Sequence, residues 1–285
     1  MSETPADDAP PYGLYAPVGL SGAMIRVTRS CASGWASRRV AFFLRSMAIK
    51  RLKDRPVDIE AVGARMRLHP RYNVVEMRLL FTPQYFDTRE RALLAQRLRG
   101  DCVFIDVGAS VGGYSLFVAA TVGPRARILA IEPSPEIFER LVFNIRQNDF
   151  ANVKALSCAL ADHDGEITLF VHMKNSGETS IRVVSGEAGG AQVRAPARSL
   201  LSVLRDENYE RLDAIKLDIE GAEDLVLDAF FSVAPKALWP HLILMEYTLV
   251  RGGPRLEQRL RGFGYAEVLR TGENVAFELK GIASE

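Results

Sequence analysis

From Val103 onward, short apolar runs alternate with stretches whose apolar positions recur every three or four residues. VFIDV, RILAI, VKALSCAL, AIKLD and LILME are continuous and mostly rich in β-branched residues, as strands covered on both faces are. Between them the spacing predicts helices over Val111–Thr121, Pro135–Asn148, Ala222–Ser232 and Arg255–Phe263. That rhythm predicts an α/β fold with a doubly wound, mostly parallel sheet. EITLFVH (Glu166–His172) and QVRAPA (Gln192–Ala197) read as edge strands, with a glycine-rich loop between them. The chain closes on GYAEVLRTGENVAFELK, which reads as strand, Thr-Gly-Glu turn, strand: an antiparallel C-terminal hairpin.

The pattern before Val103 is different. Residues 1–20 are acidic and proline-rich with little to bury, and read as a disordered arm. Residues 21–99 read as an extension of helices and a hairpin. A helix is expected over Gly34–Lys53, with Val40, Phe43, Leu44 and Met47 at helical spacing. Val57–Pro70 alternates like a hairpin turning at Gly63, and a helix opening near Asp87 or Thr88 stops at Gly100. Residues 100–285 are then the main domain.

Composition bounds the function. The 285 residues are 48% hydrophobic, enough for one large core or one core with a small appendage. A net charge of +1 gives no global reason to expect nucleic acid as a partner. The charge is uneven, however: Arg26, Arg29, Arg38, Arg39, Arg45, Lys50, Arg51, Lys53 and Arg55 are opposed only by Asp54. The helix over residues 34–53 either lies on an anionic membrane surface or packs on the main domain with a solvated basic face. The second reading is favoured, because Trp35 and Phe42 blur its amphipathic pattern. Cys31, Cys102 and Cys158 are too scattered for a disulfide framework or a metal cluster, which suits a reducing, cytoplasmic setting. The first residues do not read as a signal peptide, and no apolar run approaches the ~20 residues of a membrane span.

The candidate chemistry begins at FIDVGASVGGYS. The dinucleotide fingerprint G-x-G-x-x-G is absent: Gly108, Ser110 and Gly112-Gly113 put a serine where the second glycine would admit a pyrophosphate. Asp106 ends the first strand at the ligand edge, where a carboxylate repels phosphate and favours an ammonium group. Glu132 ends the second strand, where an acid accepts both hydroxyls of an unphosphorylated ribose. An amine at one end and a bare ribose in the middle describe S-adenosylmethionine, whose carboxylate would be met by the turn amides and the helix N-terminus. Asp162, after VKALSCALA, is placed either to accept from the adenine amino group or to make a turn.

AIKLDIEGAE holds the densest group of charges. Period two puts Lys216, Asp218 and Glu220 on one side, and LILMEY places Glu246 at the end of the next strand. Asp218, Glu220 and Glu246 therefore converge on the cleft edge, as a general base, as acids holding substrate or a cation, or as an ion-pair network around Lys216. His172 is the histidine candidate for the base. The following loop offers Thr179, Ser180 and Arg182 as substrate contacts.

Together, FIDVGASVGGYSL, ILAIEPSPEIFERLVFNI, the ALADHDGEITL run, IKLDIEGAE and LILMEY resemble the FkbM family of S-adenosylmethionine-dependent methyltransferases, over roughly residues 75–280. The resemblance implies a class I methyltransferase sheet, Rossmann-like, of seven strands with the last reversed. It implies O-methylation of a hydroxyl on a sugar, glycolipid or polyketide-type product. By match, Asp106, Gly108 and Glu132 fall at cofactor positions, and Asp218, Glu220 and Gly221 at the family's acidic motif. Ser110 stands where many relatives carry Asn, which alters one contact to the methionine moiety, and Tyr247 stands where acceptor choice is set. Two other readings remain open: an NAD-dependent oxidoreductase or epimerase on a similar sheet, and a non-catalytic membrane-associated module.

Overall fold

The computed structural model describes residues 9–32, 34–71, 73–171, 179–180, 191–219, 221–247 and 253–281. The extension comprises α1 (Gly19–Ser30), α2 (Trp35–Leu52), β1 (Val57–Ala61), β2 (Ala64–Leu68), α3 (Val74–Phe81) and α4 (Thr88–Arg97). The alternating region then runs β3 (Val103–Val107), α5 (Gly113–Val122), β4 (Arg127–Ile131), α6 (Pro135–Arg146) and β5 (Val153–Leu156). Next come β6 (Ala159–Ala161), β7 (Gly165–Val171), β8 (Thr179–Ser180), β9 (Ala191–Ser199) and α7 (Leu200–Asp206). The rest is β10 (Ala214–Leu217), α8 (Glu223–Val233), β11 (Leu242–Glu246), α9 (Gly253–Gly262), β12 (Tyr265–Arg270) and β13 (Asn274–Leu279).

The central sheet has seven strands in the order β12-β13-β11-β10-β3-β4-β5. Its pairings are parallel except at β13, which runs antiparallel to both β11 and β12. The strand order reverses between β3 and β10, which opens a crevice at their carboxyl ends. This is a class I methyltransferase topology, and the terminal hairpin supplies its reversed strand.

Alternation divides the core. Ile105, Val107, Ile215, Leu217 and Ile243 face α7, α8 and α9, meeting Leu204, Leu227, Phe230 and Leu260. Phe104, Ala214 and Leu244 face the other way, onto Leu116 of α5, Leu94 of α4, Leu79 and Phe81 of α3, and Met66 and Leu68 of β2. The extension therefore shares the main core, as one layer of the domain.

Four expectations are corrected. Residues 9–18, expected to belong to a disordered arm, are held to the β1–β2 hairpin. Gly13 and Tyr15 donate their amides to Asp58 at 2.8 and 3.0 Å, and Arg67 reaches the Pro10 and Pro11 carbonyls. The strands β7 and β9, expected as edge strands, pair with each other in a separate four-stranded sheet ordered β6-β9-β7-β8 rather than lying at an edge of the main one. The expected strand over VKALSCAL breaks at Ser157–Cys158, and that break steps the chain from β5 into the second sheet. Helix α5 starts at Gly113 rather than Val111, because Gly108, Ser110 and Gly112 all take positive φ and prolong the turn. The helices α1, α3 and α7 were not foreseen. Asn73 and Ser199 cap the last two by accepting from Glu76 N and Ser202 N.

Candidate active site

The crevice at the ends of β3, β10 and β11 is a cleft lined by the glycine turn and Tyr114 just after it, by Asp218 and Glu246, and by Arg78, Asp87 and Asn274 from outside the central βα repeat. Gly108 shows why the turn has its sequence. Its φ is +73°, and a Cβ there would lie 2.0 Å from the Asp218 carbonyl oxygen. The glycine thus lets the turn press against the end of β10, which brings the two halves of the cleft together.

Most of the turn's amides have partners within the protein. Gly108 and Ala109 donate to the Ile131 carbonyl at 2.9 and 3.0 Å, Gly112 donates to Ala109, and Ser110 donates to Glu132 Oε2 at 2.9 Å. They serve to fix the turn to β4, so these amides are not spare donors for a cofactor carboxylate. Gly112 caps α5 against Leu141 and does not border the cleft. Ser110 borders the cleft, and its buried hydroxyl has no hydrogen-bond partner.

Glu132 accepts from Ser110 N and Ser134 N, each at 2.9 Å, and is 5% exposed. Burial pushes its pKa up to about 7, against those two bonds. Two amides use half of a carboxylate's roughly four acceptor positions. Glu132 lies behind Ser110 rather than among the cleft-lining residues, and its remaining lone pairs with the unpartnered Ser110 hydroxyl at the cleft suit the ribose and methionine end of S-adenosylmethionine.

Asp106 sits deeper than expected. Its side chain is fully buried, and Oδ2 accepts from Ser115 N at 2.9 Å and Ser115 Oγ at 2.6 Å. It pairs in register with Lys216 on the adjacent strand, whose Nζ lies 3.8 Å from Oδ1. Lys216 also donates to Asp218 at 3.0 Å and lies 4.8 Å from the Tyr114 ring centroid. Burial lowers the lysine pKa, but Asp218 and Asp106 outweigh it and the net shift is upward. The ion-pair network expected around Lys216 is therefore present. Asp218 faces the cleft while Asp106 lies beneath it, so Asp218 is the carboxylate within reach of an ammonium group.

The remaining candidates scatter. Glu246 lines the cleft with Asp218. Asp162 is in the exposed turn after β6, 2.6 Å from His163 Nδ1, and away from the cleft lining. Tyr247 packs at the edge of the core with the Arg270 guanidinium 4.3 Å from its ring centroid. Thr179 and Ser180 form β8 in the second sheet. His172, Arg182 and Glu220 lie outside the described residues. Among the described residues no group of three or more His, Cys, Asp or Glu side chains is arranged to hold a metal ion.

The far wall was not anticipated. Arg78 of α3 pairs with Asp87 at 2.5 Å and Glu273 at 3.2 Å, and Asp87 accepts from the Tyr114 hydroxyl at 3.0 Å. Burial, then Asp87 and Glu90, hold the Tyr114 phenol well above its ordinary range. Only Tyr114 had a local signal, in the turn motif itself. Arg78 and Asp87 come from the extension, nine residues apart, and Glu273 from the terminal hairpin, which the fold brings to them.

Comparison with known proteins finds similarity to methyltransferases. The model of the methyltransferase FkbM domain matches residues 106–266. The methyltransferase sdnD of Sordaria araneosa is 33% identical over 151 residues, covering 43% of this chain and 58% of that protein. The AMB antimetabolite synthetase AmbE of Pseudomonas aeruginosa is 32% identical over 161 residues, covering 45% of this chain and 8% of that protein. The match thus spans little more than half of one curated relative and a small part of the other. Among solved structures, a precorrin-6y C5,15-methyltransferase of Geobacter metallireducens aligns with TM-score 0.42 and 14% identity, over 68% of this chain and 90% of that one.

Proposed function

The chain belongs to the methyltransferase FkbM family, with S-adenosylmethionine as its cofactor, and from that premise we propose that it methylates a hydroxyl of a sugar, glycolipid or polyketide-type small molecule. The observation that carries this reading is the convergence of Asp218 and Glu246 on one cleft beside the glycine turn. Bound there, the cofactor supplies a methyl group already activated by its sulfonium. The protein's work is then to hold, align and deprotonate.

Glu132 would hold the ribose hydroxyls with its free lone pairs, and Ser110 Oγ and Asp218 the methionine end. Glu246, on the next strand, takes the acceptor's proton as the general base. Lys216 stays charged beneath Asp218 and keeps that carboxylate in place. The Arg78–Asp87 pair presents donors and acceptors from the opposite wall, which suits a polyhydroxylated acceptor. Alignment of hydroxyl and methyl group contributes much of the rate, since well-oriented reactants reach effective molarities of ~10⁵–10⁸ M. The near-neutral net charge supports a small acceptor over nucleic acid. The nicotinamide-dependent reading loses its support once the family is known.

The test is transfer of isotopically labelled methyl from S-adenosylmethionine to sugars, glycolipids and polyketide-type alcohols. A base-stable methyl ether supports the proposal. Label recovered only as N-methyl or C-methyl product would refute it.

A further inference from the structure

Helix α2 packs Leu44, Ile49 and Leu52 against the core and carries several large apolar side chains outward. Among its residues only Ala41 and Ala48 are buried. Trp35, Val40, Phe42, Phe43 and Met47 are exposed, Trp35 to 74% and Phe43 to 65%. At about 100° per residue, Ala41 and Ala48 share one line along the helix. Phe43 stands nearly opposite that line beside Val40 and Met47, and Trp35 and Phe42 form a second row about 90° away with Arg39, Ser46 and Lys50 between. Single exposed apolar residues mean little, but several adjoining on one face make a patch.

The charges on this helix have one sign. Arg38, Arg39, Arg45, Lys50 and Arg51 lie on α2, and no acid does. Lys53 and Arg55 follow, and the intervening Asp54 is turned to Arg71 at 2.8 Å. Cationic and apolar groups interleave: the guanidiniums of Arg39 and Arg45 lie 5.0 and 4.6 Å from the ring centroids of Trp35 and Phe42. At the helix's C-terminal end Lys50, Arg51, Lys53 and Arg55 surround a recess that Tyr15 and Pro17 also line. The other end is tied to the rim of the active-site cleft. Arg38 lies 5.1 Å from the Tyr85 ring centroid, and Tyr85 donates its hydroxyl to the Cys31 carbonyl at 2.9 Å. The next two residues, Phe86 and Asp87, line the cleft.

We propose that α2 is an interfacial helix that docks the protein on an anionic lipid bilayer. Trp35, Phe42, Phe43 and Met47 enter the boundary between headgroups and acyl chains, and the basic residues meet the headgroups. The recess at Lys50 and Arg55 receives one headgroup anion. Charge complementarity selects this occupant. A second copy of the chain would set one uniformly positive face against another. A nucleic-acid backbone would match the cations and leave Val40, Phe43 and Met47 in water. An anionic bilayer meets both needs, and docking brings the cleft rim to the membrane surface.

The test is flotation of the full chain with vesicles of phosphatidylcholine, with and without phosphatidylserine. The native protein floats with the phosphatidylserine vesicles, stays down with neutral ones, and is released as salt rises. Each basic residue at such a surface contributes about fivefold in partition, so Arg39→Glu with Lys50→Glu lowers partition by roughly 25-fold or more. Phe43→Ser lowers it without altering the charge. Both variants change exposed positions, and circular dichroism checks that they fold. Absence of flotation, equal flotation with neutral vesicles, or undiminished flotation of both variants would overturn the proposal. So would light scattering that shows a native dimer dissociated by Phe43→Ser, or RNA binding lost in the charge variant, if either came without flotation.

Discussion

Replacing Lys216 by methionine probes the buried charges beneath the cleft. The substitution keeps the side chain's length and removes its cation. Asp106 is then left fully buried with only Ser115 to stabilise its charge. Unit charges 3.8 Å apart, the Lys216–Asp106 separation, attract by roughly 4 kcal/mol at an effective dielectric of about 20. Measured losses on removing one partner of a buried pair run about 3–5 kcal/mol. Asp218 adds little to this, since its side chain is 42% exposed and regains water. At about 2–3 °C per kcal/mol for a chain of this size, Lys216→Met lowers Tm by roughly 6–15 °C in scanning calorimetry at neutral pH. The deficit is pH-dependent with a definite sign. Burial already raises the Asp106 pKa against Lys216 and Ser115 in the native fold, and removing the cation raises it further. The penalty is therefore greatest above the folded value and shrinks as pH falls toward the unfolded value near ~4. Asp106→Asn added to Lys216→Met removes the orphaned charge and keeps an oxygen for Ser115, so the double variant recovers at least half of the lost Tm. A single variant within about 1 °C of native, or a double variant whose losses simply add, would refute the charge-pair reasoning.

Three further outcomes follow from the same geometry. Gly108→Ala forces a Cβ to within 2.0 Å of the Asp218 carbonyl at φ +73°; it costs about 2–5 kcal/mol in denaturant melts and weakens cofactor binding, and a native-like melt would contradict this. Asp58 feels burial, but bonds from Arg67, Tyr15 and Gly13 outweigh it and depress its pKa, so its stabilisation is present above about pH 4 and lost as pH falls through the folded value. Asp58→Asn should flatten the acid limb of the stability curve and speed proteolysis within residues 9–18, and an unchanged limb would count against the anchoring role. Glu246→Gln, on the proposed catalytic rim, lowers kcat by about 10²–10⁴-fold while cofactor affinity stays within a factor of a few; an unaltered kcat would remove Glu246 from the chemistry.

What was legible in the sequence follows from how local each signal is. The strands β3, β4, β10 and β11 declared themselves because both their faces are covered, which leaves uninterrupted apolar runs. The hairpin β1–β2 was visible in its alternation, and its two-residue turn at Val62 and Gly63 takes positive φ at both positions. Glu132 and Asp218 were recognisable as acids at strand ends. Asp106 was recognised too, but its depth was not, because a strand-end carboxylate looks the same in sequence whether it points into a cleft or onto a buried lysine. The Ser115 that binds it lies in the next helix, where a serine after two glycines and a tyrosine carries no distinct signal. Arg78, Asp87 and Glu273 were invisible for a different reason. Arg78 and Asp87 are nine residues apart but lie on either side of the break between α3 and α4, and Glu273 reaches Arg78 from the far end of the chain. The anchoring of residues 9–18 likewise depends on Asp58 and Arg67, which read on their own as exposed polar positions of a hairpin.

The central claim is that the cofactor's ribose rests on Glu132 at the end of β4. Titration calorimetry of S-adenosylmethionine into the native protein and into Glu132→Gln, below and above neutral pH, tests it directly. Burial holds the Glu132 pKa at about 7, and only the ionised carboxylate offers all its lone pairs to the ribose hydroxyls. Native affinity therefore rises as pH passes upward through that value. The variant loses charge-assisted bonds worth about 1.5–3 kcal/mol, binding at least tenfold more weakly at the higher pH and showing little pH dependence. Indistinguishable affinities and pH profiles for the two proteins would contradict the account.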